Sequence, residues 1–330
     1  MKTFYKSSAL IVFALFLSLG IGTAYGAAKF PQKPITLVVH AGPGGGSDIF
    51  ARVLAAANDK HKFLPQSIVV ENRPGGSGAV AFAYVAGKKG DPYFLLTTVA
   101  SFLSTPLLGL SPITYRNFTP IANFAFDDNL LIVNVNSKFK SIKDIVTEAK
   151  ANPQKITVGG SMAGSIESVF THQIEKAAGI KLNYIGYSGA GESVVQLLGG
   201  HIDMTICNPG EALEMVKAKK VRILGVFTEK RLGEAPDIPT FKEQGLDVAG
   251  AAMNRGLCAP GGIPEDARKV LEEGLFRYTK TEPFKKYVKD NMLTEAWMDG
   301  PTYGKWLEEW NGRYEAIYRE MGVLGIRKKK

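Results

Sequence analysis

Residues 34–58 read PITLVVHAGPGGGSDIFARVLAAAN. A β-branched apolar run passes through four glycines and a proline into apolar residues at helical spacing. Glycine costs backbone entropy on folding, so this many in one turn serve geometry, letting backbone approach a partner closely. A strand that hands over to a helix through bare backbone offers unpaired N–H groups and the positive end of the helix dipole, which together receive an anion. The turn is not a dinucleotide fingerprint: counted from Gly42, the third required glycine falls on Ser47. It also lacks the Gly-Lys-Ser/Thr of a P-loop. Ser47 and Asp48 are both good caps and are expected to open the helix.

Working outward, the unit repeats. SIVVEN is a second strand, GGSGAVAFAYVAGKK a helix entered through glycine, and YFLLTTV a third strand. A second set follows: strands at NLLIVNVN, KITVGG, KLNYIGY, HIDMTIC and VRILGVF alternate with helices at SIKDIVTEAKANP, GSIESVFTHQIEKAAG, AGESVVQLLGG and GEALEMVKA. Ser141 caps the first of these helices, and Gly179 ends the second. The chain then runs through EAPDIPTF and the extended AAMNRGLCAP into three closing helical patterns. Alternation of this kind predicts α/β architecture with parallel strands covered on both faces. With no long linker, two α/β lobes joined by crossing strands fit best.

Lys2 and Lys6, an apolar stretch from Ala9 to Ile21 and the small residues GTAYGAA form the pattern of a cleavable secretory signal peptide. The apolar run is shorter than the roughly 20 residues a spanning helix needs. Residues 1–26 are therefore read as a signal peptide, with a soluble exported protein beginning near Ala27. The formal charge is +9, but Lys2, Lys6, Arg327, Lys328, Lys329 and Lys330 supply six of it, so the body is only mildly basic and nucleic acid is not an expected partner. Cys207 and Cys258 are too few for a disulfide-built fold and are expected to be isolated buried thiols, although an oxidising compartment would let them pair. No His, Cys or carboxylate cluster has metal-ligand spacing. No cofactor is implied.

A serine hydrolase is the enzyme alternative. GGSGA, GGSMA and GYSGA each fall one residue short of a nucleophile elbow. Of the four histidines, His40 alone is placed to face a ligand, at the mouth of the first glycine turn, so the candidate pairs are Ser161 or Ser188 with His40. The non-enzymatic reading rests on GGSMAGS at residues 159–165, a second strand-to-helix turn with the hydroxyls of Ser161 and Ser165. Were the lobes to face each other, two helix N-termini would converge on one carboxylate at the carboxyl ends of the strands.

Taken in order, PQKPITLVVHAGPGGGSDIFAR, VVENRPGGSGAVA, DPYFLLTT, FTPIA, NPQKITVGGSMAGS, LLGGHIDM, VRILGVFTEKR, APDIPTFKEQGL and GLCAPGGIPED resemble the tripartite tricarboxylate transporter substrate-binding family, also called the Bug family, across almost all of the mature chain. The resemblance implies a two-lobed, type II periplasmic-binding-protein fold of the Venus flytrap kind. Each lobe holds a mixed, mostly parallel sheet, and the ligand cleft lies between them. Residues 27–127 plus 249–330 would form lobe 1 and residues 128–248 lobe 2. It implies a non-enzymatic periplasmic receptor, expected to be monomeric, that captures a small organic acid or amino acid and delivers it to the membrane carrier subunits of a tripartite transporter. A ligand sensor feeding a membrane signalling partner is an alternative use of the same lobes. Family contacts carried over by position fall on Ala41, Gly45, Ser47, Asp48, Thr98 and Ala100 in lobe 1, and on Ser161, Gly164, Ser165, Gly189 and Ala190 in lobe 2. Asp48 is expected to fix the turn rather than touch an anion. The chain departs from the family pattern at His40-Ala41, where Pro-aromatic is common. It also carries Ser168 for His, Ser188 for Lys, Cys207 for Asp, and Asn254-Arg255 near a frequent Trp. Arg255 could clamp a carboxylate in bidentate fashion.

Overall fold

The computed structural model describes residues 30–162, 164–187, 189–233, 235–248 and 253–326; the leader, Ser188 and the basic tail lie outside them. Eleven strands and ten α-helices follow one another among these residues. In chain order the first half runs β1 (Ile35–Val39), α1 (Gly46–His61), β2 (Ile68–Asn72), α2 (Ala79–Ala86), β3 (Phe94–Thr98), α3 (Ser101–Leu107), β4 (Phe118–Asp127), β5 (Leu130–Asn134), α4 (Ile142–Ala151) and β6 (Thr157–Gly160). The middle holds α5 (Ile166–Ala178), β7 (Asn183–Gly186), α6 (Ala190–Leu198), β8 (Met204–Cys207), α7 (Pro209–Lys217) and β9 (Val221–Val226). The chain closes with β10 (Met253–Pro260), α8 (Glu265–Tyr278), α9 (Glu282–Asp290), β11 (Thr294–Asp299) and α10 (Gly300–Glu320).

The strands form two mixed sheets. One has the order β11-β4-β10-β3-β1-β2 and the other β7-β6-β8-β5-β9. In the first sheet β1 pairs in parallel with β2 and β3, while β10 runs antiparallel to both β3 and β4. In the second, β6 is parallel to β7 and β8, and β5 is antiparallel to β8 and β9. The helices between parallel strands supply the long crossovers that such pairing requires. The chain leaves the first sheet at Asp127, enters the second at Leu130, and returns after β9 to β10. The two crossings touch, because the Phe227 N–H donates to the Asn129 carbonyl at 3.1 Å.

Two elements of the first sheet were not visible in the sequence patterns. β4 carries Pro120, and proline inside a run argues against a central strand. Here Pro120 faces Cys258 beside a register shift between Leu257 and Cys258, an irregularity that accommodates its missing donor. β11, TEAWMD, is a largely exposed edge strand whose charges suit an edge rather than a core.

The start of α1 also differs from expectation. Gly45, in an extended conformation, is the N-cap, and Ser47 and Asp48 lie buried inside the first turn. The Asp48 carboxylate instead accepts hydrogen bonds from the Gly44 N–H, Arg52 Nε and Asn72 Nδ2, each at 2.9 Å. It pins the glycine turn from below. The first-lobe layer of α1, α8 and α9 encloses a core around Phe50, Phe124, Tyr278 and Phe284. A second apolar cluster is shared by both sheets: it joins Phe82, Phe102 and Tyr303 to Phe170, Phe227 and Phe241. Within it Phe170, Phe227 and Phe241 stack at centroid distances of 4.0 and 4.2 Å.

Candidate ligand-binding site

The second glycine turn leaves β6 at Gly160 and enters α5 through Ser165. Ser165 is the N-cap of α5 and accepts from the Ser168 N–H at 3.4 Å. Ser168, standing where a histidine is common in the family it resembles, closes the turn. Its hydroxyl donates to the Ser165 carbonyl at 2.8 Å and accepts from the Gly164 N–H at 2.9 Å. Tyr184 anchors the other side, donating to the Ser161 carbonyl at 2.6 Å and lying 3.2 Å from the Ser165 hydroxyl. Gly164 has φ +87°, a left-handed conformation that disfavours any side chain, and an added Cβ would stand 2.7 Å from Leu108. From the first lobe, the Tyr318 hydroxyl of α10 donates to the Gly164 carbonyl at 2.6 Å. The turn is thus held rigidly, and by both halves of the molecule.

A cavity of about 670 Å³ opens between this turn, α3 and the segment after α10. That volume lies within the range of small-molecule sites. Of the residues singled out from the sequence, Ala100, Ser161, Gly164 and Ser165 line it. Ala41, Gly45, Ser47, Asp48, Thr98, Gly189, Ala190 and Arg255 do not. Ala41 accepts from Asn72 through its carbonyl, Thr98 is buried in a hydrogen-bonded knot with Asn254 and Tyr303, and Gly189 is the N-cap of α6.

Lining residues that the sequence patterns did not flag include Ser77, Ser101, Ser104, Leu108 and Glu167. Glu167 was readable in principle. With Phe170, Thr171 and Ile174 it falls on the i, i+3, i+4, i+7 stripe that a helix turns toward a core. It packs so tightly on Gly160 that a Cβ there would stand 2.6 Å from its own Cβ. Burial pushes the Glu167 carboxyl upward in pKa, against the opposing pull of Ser165 and Ser161.

The first glycine turn is covered by the protein itself. Arg255, buried on β10, forms an ion pair with Asp127 and donates to the Ser47 hydroxyl at 3.3 Å. Its guanidinium lies so close to Gly46 that an added Cβ would stand 2.7 Å from Nη2, which explains a glycine at that position. Asp127 is also held by Asn208 Nδ2 at 3.0 Å. Asn208 opens α7 in a capping box with Glu211, whose carboxylate accepts from the Asn208 N–H at 2.9 Å. Burial, reinforced by Glu167 and Asp127, lifts Glu211 to about 7.

His40 is a neutral imidazole. Burial lowers it to about 4, with Arg255 adding to the fall, and Nδ1 hydrogen-bonds the Thr97 carbonyl at 3.1 Å. Its ring is committed to the sheet, not to a serine. Cys207 and Cys258 are unpaired and buried. Among the described residues no group of His, Cys, Asp or Glu is arranged to hold a metal ion.

Two mixed α/β sheets joined by paired crossings, with a cavity between one sheet's glycine turn and the other's helices, define a periplasmic binding protein fold. The family model for the tripartite tricarboxylate transporter family receptor matches residues 50–323, and the chain belongs to that family. It is 30% identical to protein BugT of Bordetella pertussis over 258 residues, covering 77% of this chain and 78% of BugT. A TctC solute-binding protein from Polaromonas superposes with a TM-score of 0.76 at 27% identity, covering 88% of this chain and all of that one. An R. palustris protein with adipate gives a TM-score of 0.79 at 25% identity, covering 90% and 99%. The family is one of receptors, so the hydrolase alternative falls.

Proposed function

We propose that this protein is an exported receptor that closes around a small organic carboxylate and delivers it to a membrane carrier of the tripartite tricarboxylate type. The observation that carries the reading is the cavity itself, which opens against the N-terminal turns of α3 and α5 and is lined by Ser101, Ser104, Ser161 and Ser165. Helix N-termini and hydroxyls are what an anion needs when no lysine or arginine is supplied. Membership of a receptor family and the adipate held by a structural relative support the same class. Residues 27–127 with 249–330, and 128–248, act as the two closing lobes. Of the contacts carried over from the family, those at Ala100, Ser161, Gly164 and Ser165 are part of the proposal, while Arg255 and Asp127 occupy the first turn. Export through residues 1–26 and action as a monomer complete it.

A thermal-shift screen of the purified protein against carboxylates, neutral sugars and amines tests the class. A carboxylate at 100 times its dissociation constant adds about 2.7 kcal/mol of stability. A response confined to sugars or amines removes the carboxylate assignment.

A further inference from the structure

A second cavity, of about 700 Å³, lies between the segment after β9 and the layer formed by α9, β11 and α10. It shares no lining residue with the cavity at the second glycine turn. One wall is aromatic: Phe126 of β4 meets Trp306 of α10 at a centroid distance of 5.6 Å, and Trp306 meets Trp310 at 5.7 Å. Leu232, Val288 and Met292 add aliphatic surface.

The same cavity is lined by Asp128, where the chain crosses between the sheets. Strand register sets it beside the aromatic wall. Thr294 of β11 stands opposite Phe126, and its hydroxyl donates to Asp128 Oδ2 at 2.6 Å. Among the described residues the carboxyl accepts no other hydrogen bond, and no lysine, arginine or histidine pairs with it. Oδ1 has no partner, yet it is not among the atoms sealed from solvent, so it opens into the cavity. Burial, with the adjacent Asp127, lifts the carboxyl to about 6, which leaves it charged at neutral pH. The other charges around the cavity are matched: Arg231 with Glu243, Glu229 with Lys242, Glu295 with Lys285 and Arg313 with Glu309. Lys230 is exposed at the rim, where water and salt screen it.

A largely buried carboxylate without a counter-charge is costly, and aromatic faces attract cations. An anionic guest would meet like charge at Asp128, and a neutral apolar one would leave the carboxylate unpaired. A cation on an apolar body satisfies both the carboxylate and the rings. We propose that this cavity is a second ligand site, taking an organic ammonium ion with an aromatic or aliphatic body, its nitrogen on Asp128 and its body against Phe126, Trp306 and Trp310.

Calorimetric titration of the purified protein at neutral pH with three probes of one shape tests it: 4-phenylbutylamine, 4-phenylbutanol and 4-phenylbutanoate. The amine is expected to bind about tenfold or more tightly than the alcohol. Asp128→Asn, which still accepts from Thr294, is expected to erase that preference and leave the affinity of the alcohol within about twofold. Location is read in the wild type by nuclear magnetic resonance. The indole N–H signals of Trp306 and Trp310 are expected to move with added amine, while that of Trp297, packed on Phe124 and Phe276 outside the cavity, moves least. Equal binding of amine and alcohol overturns the proposal, as does a preference that survives Asp128→Asn. Amine binding that leaves the Trp306 and Trp310 signals in place overturns it too, and so does failure of all three probes to bind. The wild-type titrations and spectra decide the matter even where the variant folds poorly.

Discussion

Arg255 shows what a single residue does when it is enclosed. Its guanidinium is paired with Asp127, touches Ser47 and lies on Gly46, all out of water. Removing one partner of a buried pair strands the other charge, which costs about 3–5 kcal/mol, whereas replacing both by apolar groups is often neutral. Arg255→Met is therefore expected to lower stability by that amount in chemical denaturation. Arg255→Met combined with Asp127→Leu should recover most of it, because Asn208 Nδ2 keeps the Asp127 carbonyl as an acceptor at 3.0 Å. A double variant as unstable as the single one would show that the pair is not what holds this corner.

At the scale of elements, helix N-termini do most of the positioning. Ser165 caps α5 beside the cavity, and Asn208 with Glu211 caps α7 beside Asp127. Glu211 carries a pH signature. Its carboxyl sits near 4.5 when unfolded and about 7 when folded, so between those values the folded state holds the extra proton. Stability contributed by the protonated form is complete below about 4.5 and declines as pH rises to about 7, after which the slope ends. Glu211→Gln keeps a capping side chain and removes the titration. Melting temperature measured from pH 4.5 to 7 should fall more steeply in the wild type than in Glu211→Gln. Parallel curves would mean that the burial of Glu211 is relieved some other way.

At the scale of the molecule, the two sheets share one apolar cluster, and α10 reaches across. Tyr318 holds Gly164, and Glu320 pairs with Lys176 of α5 at 3.0 Å. The exposed ion pair contributes little, but the shared core is large and continuous. The protein should therefore unfold in a single cooperative transition, with calorimetric and van't Hoff enthalpies in agreement. Two resolved transitions would show that the lobes are independent and that the shared cluster opens first.

The sequence alone determined the alternation of strand and helix, the two glycine turns, the Ser141 cap and the family pattern, because each depends on residues close along the chain. Local periodicity is enough to write α1, α5 and the parallel strands between them. The tertiary structure decided the rest. Whether proline-bearing β4 could be a central strand depended on a register shift contributed by β10, 130 and more residues further on. Whether the first glycine turn stood open depended on Arg255, which is remote in sequence and lies on Gly46 only after β10 has paired with β3 and β4. The missing counter-charge of Asp128 became visible only once β11 had paired with β4 and brought Thr294 to it, since a group lacks a partner only relative to everything folded around it.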